Sequence, residues 1–140
     1  MIIQIFIPGL PVAQPRPKAA SFGGRARIYN PKTADLWKAS IISLLREKVS
    51  EPFMGPVQCQ LNFTLPRPKS HFGTGRNADR LKPNVPDWHG KKPDADNLAK
   101  AVMDAMSAAG VWQDDAQVSD LRVTKQYGPR TGVNLTLLSI

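Results

Sequence analysis

The sequence feature that most restricts the fold is a nine-residue stretch, Val57 to Leu65, in which apolar and polar residues alternate without a break. Every second residue is apolar, and the residues between them are glutamine, asparagine or threonine. A period of two over nine residues predicts a β-strand with one buried face and one solvated face. Such a strand fits a sheet that helices cover on one side only.

A helical pattern lies between Asp94 and Gly110. Its apolar residues recur at three- and four-residue spacing, which predicts one buried helical face. They are Leu98, Val102, Ala105, Met106 and Ala109. Pro93 and the acidic residues beside it suit a helix start, because exposed N–H groups there favour negative charge. Gly110 suits the position that follows the last helical residue.

Local signals predict the other regular elements. Ile2 to Ile7 is a β-branched run and predicts a buried first strand. The pair Asn30-Pro31 predicts the start of a helix that runs to about residue 48, with Trp37 in the core. Two last strands are predicted at 116–127 and 133–140. This order predicts one α+β domain over residues 1–140, with two layers, a mixed β-sheet and two main helices packed on one face.

The chain is strongly basic. It has 19 lysines and arginines against 11 acidic residues, a net charge of +8 and a pI near 10.0, which favours binding to a polyanion such as nucleic acid. No apolar run approaches the roughly 20 residues of a membrane span, and the apolar start lacks the features of a signal peptide. The single cysteine, Cys59, suits a core position in a reducing compartment. We therefore expect a cytoplasmic protein with no membrane attachment.

Two segments carry much of the positive charge. Residues 11–29 surround a glycine turn and predict a loop or irregular hairpin with basic arms. The alternative for this segment is a solvated loop. Residues 66–92 contain four prolines and three glycines and predict a long flexible loop that orders on DNA, since a long loop in a compact domain is usually functional or disordered. The candidate DNA contacts are Arg16, Lys18, Arg25, Arg27, Lys69, Arg76, Arg80, Lys82, Lys91 and Lys92.

Four other side chains of residues 66–92 are given structural or solvent roles. The aromatic residues Phe72 and Trp88 are expected to pack onto the body of the protein rather than to stack on bases. His71 and His89 lie in a polar loop, so we interpret them as solvated and leave them outside the catalytic set.

Carboxylates are concentrated at both ends of the second predicted helix. Asp94 and Asp96 lie at its start, and Asp114 and Asp115 follow its glycine stop. A helix of about 14 residues rises roughly 20 Å, and five extended residues after it retrace about 16 Å, so the second pair is expected to return to the first. Carboxylates that converge repel one another unless a divalent cation lies among them, and hard oxygen ligands favour Mg²⁺ or Mn²⁺. The alternative is an acidic helix start followed by a solvated loop.

The ordered set of residues resembles a known family. The run D-A-D-N-L-x-K, a short helix with Asp104, and then G-V-W-x-D-D-A-Q-V resemble the RusA family of Holliday-junction resolvases over about residues 91–123. The resemblance implies a small, dimeric, Mg²⁺-dependent endonuclease that cuts four-way DNA junctions, in a family that many phages and prophages encode. It implies metal-binding carboxylates at Asp94, Asp96 and Asp115 and an essential lysine at Lys100. Asn97, Asp104 and Asp114 match accompanying motif positions. Residues 66–92 are longer than in the shortest members.

The expected activity is resolution of four-way junctions by paired symmetric nicks, in DNA recombination and repair. Lys100 is expected to contact the scissile phosphate, and the alternative is an ion pair with Asp96 or Asp104. Two nicks in symmetry-related strands require two sites, so a two-fold homodimer is expected. A non-catalytic DNA-binding accessory protein and a nuclease that prefers flaps or branched replication intermediates both remain open. No P-loop is present, and no small-molecule cofactor is expected.

Overall fold

The computed structural model describes residues 1–29 and 32–140. The strands and helices, in chain order, are β1 (Ile2–Pro8), β2 (Lys18–Phe22), β3 (Arg25–Tyr29), α1 (Asp35–Lys48), β4 (Val57–Leu65), α2 (Ala95–Ala108), β5 (Val118–Tyr127) and β6 (Gly132–Ser139). Three short 3-10 helices lie at Lys69–His71, Gly75–Asn77 and Asp115–Gln117. Within residues 1–29 and 32–140, none of the helices is long and apolar enough to cross a membrane.

Four strands form one mixed sheet in the order β1-β6-β4-β5. β6 pairs antiparallel with both β1 and β4, whereas β4 pairs in parallel with β5. Parallel neighbours need a crossover connection, and α2 lies in that connection. The helices α1 and α2 pack on each other, and they contact β1 and β5 respectively. The predicted α+β fold, with a mixed sheet and two helices on one face, is confirmed.

Strand β4 has the bounds and the face that its alternation predicts. Val57, Cys59, Leu61 and Phe63 are fully buried, while the polar residues between them are partly accessible in all but one case. The exception is Thr64, which is 8% exposed. Each fully buried Leu- or Phe-sized side chain contributes about 1.5–3 kcal/mol relative to exposure, so this strand anchors the core. Burial raises the pKa of the Cys59 thiol to about 12.

Helix α2 forms where its pattern predicts. It has 14 residues, Asp94 is its N-cap, and Leu98, Val102, Ala105 and Met106 on its predicted apolar face are buried. Gly110 follows the C-cap residue with φ of +75°. A residue without a Cβ adopts this left-handed conformation at little cost, which explains why the helix ends there.

Three predictions about local structure are wrong. The first strand was predicted to be buried, but only Ile7 of β1 is buried. β1 lies at the edge of the sheet and has a neighbouring strand on one side only. Helix α1 begins at Asp35 with Ala34 as N-cap, after a turn in which the Asp35 N–H donates to the Lys32 carbonyl; the predicted start signal, Asn30-Pro31, lies outside the described residues. β5 begins at Val118, two residues late, because a 3-10 helix precedes it.

The first basic segment forms a regular hairpin. β2 and β3 pair antiparallel around Gly23 and Gly24, whose φ angles of +57° and +79° are the left-handed values that a tight hairpin turn requires. Its described side chains are exposed, apart from the half-buried Ala20. The hairpin therefore lies apart from the main core.

Residues 66–92 contain no long regular element, as predicted, but part of the segment is bound to the sheet. The His89 N–H donates to the Lys125 carbonyl at 3.1 Å, and the Tyr127 N–H donates to the Asp87 carbonyl at 2.8 Å. These bonds cover the otherwise open edge of β5. Phe72 is half-buried, in line with the prediction, whereas Trp88 is 65% exposed, so the packing predicted for it is wrong.

The interpretation of the two histidines as solvated is wrong. His71 and His89 are half-buried, and their rings lie 4.9 and 4.8 Å from the ring of Tyr127, measured between centroids. The Arg67 guanidinium lies 5.3 Å from the same ring centroid. Contact with an aromatic side chain of the sheet explains why these polar residues are withdrawn from solvent.

Candidate active site

The first acidic segment lies at the start of α2. Asp94 is the N-cap residue, but its side chain makes no capping hydrogen bond. Asp96 lies in the first turn, where its Oδ1 accepts a hydrogen bond from the Asn97 N–H at 2.9 Å. Both aspartates are exposed. Their carboxylates therefore keep oxygen atoms that can bind an external partner.

The second acidic segment is a capped turn rather than an extended chain. The Asp114 carboxylate accepts a hydrogen bond from the Ala116 N–H at 2.9 Å and caps the 3-10 helix Asp115–Gln117. Asp115 makes no such bond within the turn, and it is exposed. Of the two neighbouring carboxylates, Asp114 is thus used to cap the turn, whereas Asp115 makes no capping bond and is hydrogen-bonded to the Asp114 side chain.

Gln117 holds this turn in place, and our sequence analysis missed it. Its Oε1 accepts hydrogen bonds from the N–H groups of Gln113 at 2.8 Å and Asp114 at 3.2 Å. Its Nε2 donates to the carbonyls of Phe53 and Gly55, each at 2.9 Å. The spacing D-x-x-Q is that of a capping box, so this signal was present in the sequence.

The return of the second acidic segment toward the helix start, which the sequence analysis expected, brings Asp115 into one cavity with Asp96 but not with Asp94. Val111 and Trp112 are buried, and the Val111 carbonyl accepts a hydrogen bond from the Phe53 N–H at 2.7 Å. The chain therefore packs into the core before it reaches Asp115. As a result Asp115 lies beside the middle of α2, near Lys100 and Asp104, whose charges act on its carboxyl group.

Asp96 and Asp115 line the same cavity, which has a volume of about 480 Å³. It lies between α2 and β5. The other lining residues are Ala99, Lys100, Met103, Asp104, Leu121 and Val123. Two of the predicted metal-binding carboxylates and the predicted essential lysine thus face one space, with an apolar wall supplied by β5.

Asp104 is engaged by two lysines. Its carboxylate oxygens lie 3.5 Å from the Lys100 Nζ and 3.7 Å from the Lys38 Nζ of α1. The side chain of Lys100 is 62% exposed, so its pair with Asp104 contributes only about 0.3–0.5 kcal/mol to stability. Asp104 therefore serves mainly as a charge partner that keeps the Lys100 ammonium near the cavity.

Asp94 lies in a neighbouring cavity. This space, of about 740 Å³, is lined by Asp94 and Asn97 of the α2 start together with Gln14, Arg16 and Lys92, among other residues. The Gln14 N–H donates to the Asn97 carbonyl at 2.9 Å, which fixes the loop after β1 to the helix. The first turn of α2 therefore separates a largely acidic cavity from one that carries two cationic side chains.

The acidic residues fit a magnesium site of one particular kind. Across residues 1–29 and 32–140, no three His, Cys, Asp or Glu side chains lie close enough together to hold a metal ion. Mg²⁺, however, is commonly held by one or two protein carboxylates, with water and substrate phosphate as the remaining ligands. Asp96 and Asp115 supply two carboxylates of the right type on the wall of one cavity.

The crowding of charge separates the pKa values of the two neighbouring aspartates. A hydrogen bond with the Asp114 side chain raises the pKa of Asp115, and desolvation and the charges of Asp114 and Asp104 act in the same direction, against Lys100. The pKa of Asp114 is lowered, chiefly by the hydrogen bond from the Ala116 N–H. Asp115 is therefore the more basic carboxylate of the pair.

The ten candidate DNA contacts are all exposed. Lys69 and Lys82 line one cavity of about 600 Å³, and Arg16 and Lys92 line the cavity beside Asp94. Arg67 differs from these residues, because its side chain is only 9% exposed. It forms an ion pair with Asp87 at 3.1 Å and takes a structural role.

A strongly basic α+β domain that places carboxylates and a lysine around one cavity has a charge distribution that suits contact with a polyanion. Comparison with known proteins identifies the family. Residues 8–137 match the family described as Endodeoxyribonuclease RusA. The chain therefore belongs to the RusA endodeoxyribonuclease family, and the resemblance that the motif predicts is confirmed.

Similar individual proteins fall into two groups. The uncharacterized protein YqaN of Bacillus subtilis (strain 168) is 28% identical over 144 residues, which cover 99% of this chain and 96% of YqaN. The Crossover junction endodeoxyribonuclease RusA of Escherichia coli (strain K12) is 50% identical over 46 residues, which cover 33% of this chain and 37% of that protein. The Crossover junction endodeoxyribonuclease rusA of Enterobacteria phage 82 matches to the same extent.

Proposed function

We propose that this protein is a metal-dependent endodeoxyribonuclease that resolves four-way DNA junctions by paired symmetric nicks, in DNA recombination and repair. The observation that carries the proposal is the cavity in which Asp96 and Asp115, from two different segments, face Lys100. The net charge of +8 and membership of an endodeoxyribonuclease family support DNA as the substrate. The names of the Escherichia coli and phage relatives support the junction as the preferred DNA structure.

The proposed metal ligands are Asp94, Asp96 and Asp115. Asp96 and Asp115 would hold the ion directly from one cavity, and Asp94, which lines the neighbouring cavity, would contact it through a ligand water. Bound Mg²⁺, or Mn²⁺ in its place, would supply an activated water and neutralise charge at the scissile phosphate. The carboxylates orient this chemistry because they lie on a helix start and on a capped turn rather than on free loops.

The remaining motif residues have supporting roles in the proposed mechanism. Lys100 would donate to a phosphate oxygen as negative charge develops in the transition state, while Asp104 keeps the ammonium group near the cavity. Asp114 shapes the turn that presents Asp115. Asn97 joins α2 to the loop that carries Arg16, since its carbonyl accepts the Gln14 N–H.

The exposed cations and the proposed dimer account for binding. The ten exposed lysines and arginines named above would contact phosphates. Each contact makes the fall of log affinity with log salt steeper by about 0.9. Two nicks in symmetry-related strands require two such sites, so we propose a two-fold homodimer. We also propose a phage or prophage origin, because one of the similar proteins comes from Enterobacteria phage 82. The proposed compartment is the cytoplasm, where the unpaired Cys59 remains reduced.

The test is cleavage of an end-labelled four-way junction beside duplex and flap DNA of the same sequence. Wild-type protein with Mg²⁺ is expected to nick the junction at symmetric positions and to leave duplex intact. EDTA or the substitution Asp96→Asn should abolish nicking. Glu47→Gln, which removes one exposed charge from α1, serves as the matched control and should cut normally.

Two other outcomes correspond to the alternative functions. Tight junction binding with no nicking under Mg²⁺ or Mn²⁺ would identify a DNA-binding accessory protein. Equal or faster cutting of flaps would keep the metal-dependent chemistry and replace the junction as the substrate.

A further inference from the structure

Lys125 makes the contact from which this inference starts. It lies near the end of β5 and is half-buried. Its Nζ donates a hydrogen bond to the Lys91 carbonyl at 2.7 Å and a second to the Pro93 carbonyl at 2.8 Å. These two carbonyls belong to the last residues before Asp94, the N-cap of α2. An ammonium group has several donors, so one side chain satisfies both oxygens.

The segment that Lys125 holds is also bound to β5 by its main chain. The N–H of His89 donates to the Lys125 carbonyl, and the N–H of Tyr127 donates to the Asp87 carbonyl. Between these bonds, Trp88 forms an isolated β-bridge with Gln126. The chain from Asp87 to His89 therefore follows the edge of β5, and the Lys125 side chain holds Lys91 and Pro93 between this point and α2.

Strand β5 is consequently connected to both acidic segments of the site. At its start it follows the 3-10 helix that carries Asp115, and near its end Lys125 holds the residues before Asp94. Besides core packing and the bond from Gln14 to Asn97, one strand and one ammonium group thus help to set the position of the α2 start relative to Asp115. Hydrogen bonds to charged groups contribute more than neutral ones and are shorter, which suits them to this task.

We propose that Lys125 is a positioning residue for the nuclease reaction. By donating to the Lys91 and Pro93 carbonyls it holds the start of α2, so that Asp94 and Asp96 keep their place relative to Asp115 and Lys100. This role rests on the proposed nuclease function, but the hydrogen bonds that define it can be measured without DNA or metal. Lys125 itself lines neither the cavity of Asp96 nor that of Asp94, so its effect passes through the main chain that it binds.

The principal test compares Lys125→Met with Lys48→Met. Methionine keeps the length of the side chain and removes the donors, and Lys48 is an exposed lysine in the last turn of α1 that serves as control. Single-turnover cleavage of a four-way junction by saturating Lys125→Met is expected to fall about a hundredfold, because a misplacement of about 1 Å at a reacting centre costs this much. Junction affinity in Ca²⁺ and its salt dependence should match those of wild type.

Two results of that comparison would overturn the proposal. The first is cleavage by Lys125→Met at the wild-type rate. The second is a loss of junction affinity with a salt slope that is lower by about one, which is the signature of a phosphate contact. If wild-type protein itself fails to cut junctions, the proposed function fails, and the next measurement still decides the role of Lys125.

Hydrogen exchange in the protein without metal or DNA tests the positioning directly. The amide proton of Leu98, which donates to the Asp94 carbonyl in the first turn of α2, is expected to exchange at least about tenfold faster in Lys125→Met, while those of β4 keep their protection. Unchanged exchange at the α2 start would contradict the proposal. If Lys125→Met does not fold, NMR of the wild-type protein provides the test. Scalar coupling from the Lys125 side-chain nitrogen to the carbonyl carbons of Lys91 and Pro93 is expected. Absence of this coupling would contradict the proposal.

Chemical rescue separates the ammonium group from general packing. In Lys125→Cys, reaction with 2-bromoethylamine rebuilds a side chain that ends in an ammonium group. The native Cys59 should stay unmodified, because it is fully buried and its pKa is raised to about 12. Cleavage and exchange protection are expected to recover after one addition, confirmed by mass. If the modified protein cleaves as slowly as unmodified Lys125→Cys, the ammonium group is not the positioning group.

Discussion

The two acidic segments of the site are held by different kinds of contact. The Asp94 and Asp96 segment is a helix start whose position is fixed from outside, through main-chain carbonyls that Lys125 binds. The Asp114 and Asp115 segment is shaped by its own capping box, which Asp114 forms with Gln117, and Gln117 also bonds the carbonyls of Phe53 and Gly55.

This difference decides which carboxylates are available for chemistry. A helix start whose N-cap side chain makes no capping bond leaves both of its aspartates accessible. A capped turn uses one carboxylate for its own stability and leaves only the next one available to a ligand. The same residue type therefore has a structural role at Asp114 and, in our proposal, a metal-binding role at Asp115.

The largest expected effect separates these two neighbours. Asp115→Asn should lower the rate of junction cleavage about a thousandfold, because it removes a charged ligand from the reacting centre. Asp114→Asn should retain most of the activity, because asparagine caps a helix about as well as aspartate. Single-turnover cleavage with Mg²⁺ measures both variants. Equal losses in the two would contradict the division of roles.

The next effect concerns the residue that fixes the turn. Gln117→Ala removes four hydrogen bonds and leaves the carbonyls of Phe53 and Gly55 without their donor. We expect the free energy of unfolding to fall by about 2–3 kcal/mol, measured by urea denaturation. Gln113→Ala, at an exposed position in the same turn, should change it by less than about 0.5 kcal/mol. A loss of similar size in both variants would show that the capping box is not the stabilising feature.

The opposite pKa shifts of the pair predict opposite pH effects in the metal-free protein. Because its folded pKa is raised, Asp115 contributes stability below its unfolded pKa, and this is lost as the pH rises through the folded pKa. The pKa of Asp114 is lowered, so its contribution is present above the unfolded pKa and is lost as the pH falls through the folded value.

Thermal unfolding between acid and neutral pH tests both signs. Relative to wild type, Asp115→Asn should gain stability as the pH rises to neutral, whereas Asp114→Ala should lose it. In Asp114→Asn, the Asp115 carboxyl carbon should titrate at a lower pH than in wild type, because its main perturbing partner is gone. Carbon-detected NMR reports this change, and an unaltered titration of Asp115 would contradict the coupling.

The smallest effect on stability is expected at Lys100. Its contact with Asp104 is an exposed i,i+4 pair, so Lys100→Met should change the free energy of unfolding by only about 0.3–0.5 kcal/mol. Its cleavage rate should nevertheless fall about a hundredfold if the ammonium group stabilises the transition state. A stability loss without a catalytic loss would assign Lys100 to the helix alone.

The sequence predicted those parts of the fold that depend on local pattern. The alternation of Val57 to Leu65 gave the bounds of β4, because burial on one face selects every second residue. The spacing of the apolar residues between Asp94 and Gly110 likewise gave α2, since both of its ends carry capping signals. The family resemblance rests on the same stretch of the chain.

The arrangement of the site depended on contacts that local pattern does not report. Val111 and Trp112 are buried in the core, and Asp115 shares a cavity with Asp96 but not with Asp94. Lys125 acts on carbonyls that lie 34 and 32 residues earlier in the chain, and no spacing rule connects them. The two histidines were misread for a similar reason, because their partner, Tyr127, lies on a distant strand.

The most direct measurement of the central claim uses a supercoiled plasmid that extrudes a cruciform. Wild-type protein is incubated with this plasmid in Mg²⁺ or in EDTA, and the products are separated by electrophoresis. Paired nicks in one junction convert the circle to a linear molecule, and we predict linear product with Mg²⁺ and none with EDTA. Nicked circles as the main product, or intact plasmid despite tight junction binding, would contradict the assignment of this protein as a metal-dependent junction resolvase.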